Sequence, residues 1–115
     1  MDLRERLFLF SISTIKLCRS LDQSPESKII RYQLIRSGTS SGANYEEAQA
    51  AFSKKDFHYK ICTSLKEMRE SNYWLKIIRD TTLIKSNKVN ILINESEQLM
   101  KILATIAKKT SHIKT

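Results

Sequence analysis

Turn-forming residues are almost absent from this chain, with two glycines and one proline in 115 residues. A β-sandwich or α/β fold of this size needs many more, because its frequent tight connections draw on glycine's free φ and proline's fixed one. Long helices with few connections need almost none. Extended apolar runs are missing too. None approaches the ~18 residues of a membrane span. The N-terminal stretch LFLFSISTIKLC is broken by polar residues and a lysine, and no small-residue cleavage site follows it. The chain is therefore expected to be cytoplasmic, without a membrane partner.

The residues that carry catalysis or hold metals are equally sparse. Cys18, Cys62, His58 and His112 form no CxxC or CxxH spacing, so two small thiols in a reducing compartment account for the cysteines better than a zinc site. Di-iron bundles need Glu-x-x-His on two helices, and none occurs; Glu67 and Glu70 make a Glu-x-x-Glu pair with no histidine a turn away. Cys62 and His58 are four residues apart and can touch on a helix, but the sequence offers no third group to orient them. The GTSSGA run beginning at Gly38 lacks the phosphate-loop spacing and follows no strand. These absences predict a protein without catalytic residues, metal or cofactor.

What is present is periodicity. Leu3, Leu7, Phe10, Thr14, Leu17 and Leu21 recur at alternating steps of four and three, the seam of a bundle helix running from about Leu3 to Leu21. Ser24-Pro25-Glu26 opens a second helix to about Ala51. Its middle, Ser37 to Ala43, is all small residues. It reads either as a loop or, the reading favoured by the alanines and glutamates that follow, as a helix approached closely by a neighbour. Ser53-Lys54-Lys55-Asp56 resembles a capping box and starts a third helix ending at Asp80 or Thr82, with Phe57, Ile61, Leu65, Met68, Asn72 and Leu75 as its seam. Ser86-Asn87 starts a fourth, from about Lys88 to Lys108, with Val89, Ile93, Ser96, Met100, Leu103 and Ala107 inward. Four helices with short joins predict one antiparallel up-down-up-down four-helix bundle over residues 1–109, followed by a polar, basic tail at 110–115. Second apolar lines, Phe8, Ile12 and Ile15 on the first helix and Ile91, Ile102 and Ile106 on the fourth, exceed what one core can bury. They point to a homo-oligomer interface, the alternative being scattered surface hydrophobes.

Polar residues recur at helical spacing as well. Arg36, Ser37, Ser40, Asn44 and Glu47 on helix two, with Glu67, Glu70 and Asn72 on helix three, predict an interhelical network in which Arg36 and Asn44 meet helix-three carboxylates and fix register. Net charge is +8, and +7 of it lies in residues 53–115. Lys55, Lys66, Arg69, Tyr73 and Lys76 fall within about 80° of one another on helix three, at 100° per residue. Such a stripe is either a solvated face or a polyanion-binding one.

Three linked motifs then fit a known pattern: QL-x-RS-x-x-S-x-x-x-N-x-x-EA, S-x-x-DF and E-x-x-ES-x-YWL, together covering residues 33–75. They resemble the bacterial four helix bundle family first named for the 23S ribosomal RNA intervening-sequence protein. The resemblance implies a subunit of a ring-shaped homopentamer. That family also includes the accessory variability determinant of diversity-generating retroelements, a basic pentameric barrel that binds nucleic acid and associates with a reverse transcriptase. The motif carries Arg36, Ser37, Ser40, Asn44, Glu47, Asp56, Glu67, Glu70, Tyr73 and Trp74. It does not supply the lysines, and no RNP or KH signature is present. Resemblance and charge together imply a non-enzymatic accessory or scaffold protein for structured RNA. The expected contacts are Lys54, Lys55, Lys66, Arg69, Lys76 and Arg79, with Lys108 and Lys109 secondary. The alternative is a module that docks on a partner protein such as a reverse transcriptase.

Overall fold

The computed structural model describes residues 1–81 and 83–111. It is all-α: α1 (Leu3–Arg19), α2 (Pro25–Gln49), α3 (Lys54–Asp80) and α4 (Asn87–Thr110) form a four-helix bundle about 47 Å long and 22 Å across. Each helix starts on a side-chain acceptor. Asp2, Ser24, Ser53 and Ser86 accept from the backbone N–H of Glu5, Ser27, Asp56 and Lys88, satisfying donors the first turn leaves free. α1 ends two residues before the expected Leu21. The Arg31 guanidinium donates to the carbonyls of Cys18, Leu21 and Asp22, and this tie lets Leu21 turn into the core beyond the helix end. α4 continues to Thr110, past the expected Lys108 and into the segment read as tail. The tail residues 112–115, and the Thr82 end considered for α3, lie outside the described residues.

Contacts between sequence neighbours run in reversed order. Glu47–Lys60, Ser41–Ser64, Ser37–Ser71 and Arg36–Glu70 link α2 to α3; Arg4–Glu46 and Ser11–Gly38 link α1 to α2. His58–Thr110 and Asn72–Ser96 link α3 to α4. The α2–α3 seam is the most extensive and α1–α4 the least. α2 is continuous through the small-residue run. Its buried side chains include only Ile30 and Leu34 as large apolar groups, so close approach does the packing. A Cβ on Gly38 would lie 2.7 Å from Thr14 Cγ2, which shows how near α1 comes.

The α4 seam needs correction. Met100 and Ala107 are only half-buried, whereas Leu92 and Leu99 are fully packed alongside Val89, Ile93, Ser96 and Leu103. A helix wedged between two neighbours buries a face wider than a two-residue heptad seam. On α3 the same widening buries Ser64, Glu67, Ser71 and Ile78, and leaves Phe57 and Leu65 at the edge.

Candidate nucleic-acid interface

Burying one broad face of α3 leaves a narrow outer one. The exposed residues of α3 are Lys54, Lys55, Tyr59, Lys66, Arg69, Tyr73, Arg79 and Asp80, of which Lys54 and Arg79, near the two ends, stand about 100° and 120° around the helix from Lys55. Five are cationic, two are tyrosines, and the single acid, Asp80, is held by neighbouring Arg79 at 2.8 Å, which keeps its carboxyl below the usual range. Lys76 is more sheltered and pairs with Glu97 of α4 at 3.4 Å. Arg79 and Lys76 are thus partly neutralised within the chain. Lys54, Lys55, Lys66, Arg69, Lys108 and Lys109 form no ion pair among the described residues.

Local sequence explains where these cations sit. Lys54 and Lys55 occupy the first turn of α3, the positive end of the helix dipole, where they are unfavourable by a few tenths of a kcal/mol each and Asp56 compensates. Lys108 and Lys109 lie in the last turn of α4, where cations are favoured. His58 Nδ1, in the second turn of α3, meets Thr110 Oγ1 at 2.6 Å. This contact brings both lysine pairs to one end of the bundle. Lys101 was missed from the sequence. It is exposed, lies seven residues before Lys108, and shares an open groove with Arg69, Glu97, Met100 and Ala104. Tyr59 was missed as well, although it falls only about 40° from Lys55 around the helix.

Behind the basic face stands the α2–α3 polar seam. Arg36 Nη1 donates to Glu67 Oε2 at 2.8 Å, and Nη2 donates to Glu70 Oε2, which also accepts from Trp74 Nε1 at 3.0 Å. Burial pushes the Glu70 carboxyl upward, but the hydrogen bonds from Arg36 and Trp74 and the nearby positive charge outweigh it and hold it below its ordinary value. The Ser37 and Ser71 hydroxyls are 2.9 Å apart, and Ser41 and Ser64 donate to each other's carbonyls at 2.8 and 2.7 Å. Three expected members sit elsewhere. Asn44 donates to the Ser40 carbonyl one turn back and reaches no α3 carboxylate, because its position on α2 is rotated away from the seam. Glu47 is exposed and pairs with Lys60 at the surface. Asn72 turns to α4 and donates to Ser96 at 2.8 Å.

Of the second apolar lines, Phe8 is 65% and Ile91 58% exposed, while Ile12, Ile15, Ile102 and Ile106 are half-buried. The third group that the Cys62–His58 pair lacked in the sequence is Thr110. The Thr110 hydroxyl lies 2.6 Å from His58 Nδ1 and 3.0 Å from the Ile106 carbonyl, and His58 Nε2 lies 3.4 Å from Cys62 Sγ. Among the described residues no group of three or more His, Cys, Asp or Glu could hold a metal ion, and no helix is long and apolar enough to cross a membrane.

A family model described as 23S rRNA-intervening sequence protein matches residues 1–105. Among solved structures, a protein of unknown function from the S23 ribosomal protein family of Bacteroides thetaiotaomicron VPI-5482 superposes with a TM-score of 0.85 at 32% identity, covering 93% of this chain and 99% of that one. No curated protein matches.

Proposed function

The chain belongs to the 23S rRNA-intervening sequence protein family, and we propose that it is a non-enzymatic accessory or scaffold protein that binds structured RNA. The observation that carries this is the exposed surface of α3, where cations outnumber acids five to one and the acid is already paired. Phosphates are the natural counter-charge for such a face, and Lys101, Lys108 and Lys109 extend it onto α4. The functional unit in this proposal is an up-down-up-down bundle assembled in the cytoplasm as a ring of five. The exposed Phe8 and Ile91 and the apolar residues beside them would form contacts between copies. Five copies at +8 carry +40, with the α3 face repeated around the ring.

The test is fluorescence anisotropy with a labelled RNA hairpin across a salt series. Tight binding at low salt that falls steeply as salt rises is the expected result. Absence of binding at low salt would remove this proposal and leave a protein-docking module in its place.

A further inference from the structure

The two tyrosines on the cationic face expose most of their surface to solvent. Tyr59 is 65% and Tyr73 59% exposed, although burial is what normally offsets the cost of placing an aromatic ring. Their positions are regular. Tyr59, Lys66 and Tyr73 are seven residues apart, so each step is about two helical turns, or about 10.5 Å, and all three stand within about 40° of one another. Lys55 occupies the same arc and Arg69 stands within about 80° of Tyr59, so cations lie before the first tyrosine and between the two along the exposed side of one helix. Phe52, fully exposed in the loop ahead of α3, continues the step one place further. Two carboxylates adjoin this arc among the described residues: Glu70 is engaged by Arg36 and Trp74, and Asp80, at the far end of the helix, is paired with Arg79. Trp74 also meets the Tyr73 ring edge-on, with centroids 5.1 Å apart, which limits that ring's freedom to swing away.

A duplex would use the cations of this face but not the rings, since its bases are stacked on one another and only phosphates and sugars are presented to a convex helix. An unpaired strand would use both. Its phosphates would meet Lys55, Lys66 and Arg69 while its bases stacked on the tyrosines about 21 Å apart. We infer that the α3 face is a stacking platform for unpaired RNA, so that the segments held are loops, bulges or single-stranded ends of a structured RNA. This deepens, and rests on, the RNA-binding proposal above.

The test compares a fluorescein-labelled, unstructured 12-nucleotide RNA with a 12-base-pair RNA duplex at one salt concentration, using wild type, Y59A, Y73A, Y59F, Y73F and the double variant K66A/R69A. Helical circular dichroism and sedimentation confirm the same fold and assembly. Wild type is expected to bind the single strand more tightly. Y59A and Y73A are each expected to weaken single-strand binding by about five- to 100-fold, the range for loss of one base–aromatic stack. Duplex binding is expected to stay unchanged, and both phenylalanine variants are expected to retain wild-type affinity. K66A/R69A is expected to weaken both ligands. Equal affinity for the two RNAs, or alanine variants that bind the single strand like wild type, would overturn the stacking platform while leaving RNA binding intact. A change of assembly size in Y59A or Y73A would also overturn it, by making the tyrosines subunit contacts. Failure of the wild type to bind either RNA would instead overturn the underlying RNA-binding proposal.

Discussion

Gly38 and Gly42 lie one turn apart on the same helix, yet a methyl group added to each meets different surroundings. At Gly38 the new carbon would sit 2.7 Å from Thr14 Cγ2, inside a contact where Thr14 is wholly buried. At Gly42 it would find Leu7 and Ser11 at an ordinary 3.5 Å. Gly42→Ala is therefore expected to stabilise the protein by about 0.5–1 kcal/mol, through reduced freedom of the unfolded chain. Gly38→Ala is expected to destabilise it by about 1–3 kcal/mol through overpacking. Thr14→Ser removes the offending methyl, so the G38A defect should shrink in that background. Urea unfolding of wild type, G42A, G38A, T14S and the G38A/T14S double variant checks this, and equal effects at the two glycines would contradict the close approach of α1 to α2. The cysteines differ just as sharply. Burial pushes the Cys18 thiol up to about 11, partly countered by Arg31, whereas Cys62 is half-buried with His58 Nε2 3.4 Å away. A disulfide reagent at pH 8 should label one thiol per folded chain, and Cys62→Ser should abolish that labelling. Two thiols reacting at one rate would contradict the assignment.

Among the elements, α2 and α3 are joined by polar groups more than by large apolar ones, and acid should expose this. The folded Glu70 carboxyl lies below its ordinary 4.5 and that of Asp22 falls from 3.8 to about 2, held by hydrogen bonds from Ser24 and then Ser27. A depressed carboxylate contributes stability that is complete above its unfolded pKa and is lost as pH falls through the folded one. The melting temperature should therefore decline below pH 4.5, with the Asp22 share lost between 3.8 and about 2. Arg36→Met should cost about 1.5–3 kcal/mol at neutral pH, since it strands the nearly buried Glu67 carboxylate, and should flatten the Glu70 part of the acid decline. A wild-type melting temperature in that variant would contradict a structural role for the seam. How much of this was legible depends on geometry. The capping residues Ser24, Ser53 and Ser86 and the small-residue run act locally and could be read from spacing alone. The partner of Asn44 could not, because a rotation of a few tens of degrees about α2 decides between an α3 carboxylate and the Ser40 carbonyl. Leu92 and Leu99 were missed because a strict heptad seam underestimates the face that two neighbouring helices bury. The His58–Thr110 contact joins residues 52 apart, and its existence depends on the exact alignment of α3 with α4.

At the scale of the whole molecule, charge is segregated. The second half of the chain carries +7 of the +8, and folding turns that excess outward on α3 and α4 while Arg4, Arg6 and Arg36 are taken up by carboxylates of neighbouring helices. Lys54, Lys55, Lys66, Arg69, Lys108 and Lys109 are among the cations that form no ion pair among the described residues, and the proposed function gives them RNA phosphates as counter-charge. The most direct test is the affinity of the wild-type protein for a labelled RNA hairpin, measured by anisotropy from 50 to 200 mM salt. Six or more phosphate contacts predict a loss of roughly a thousandfold or more across that range, log affinity falling linearly with log salt. Affinity that stays flat across the series, or no binding at 50 mM, would contradict a phosphate-directed role for the α3 face.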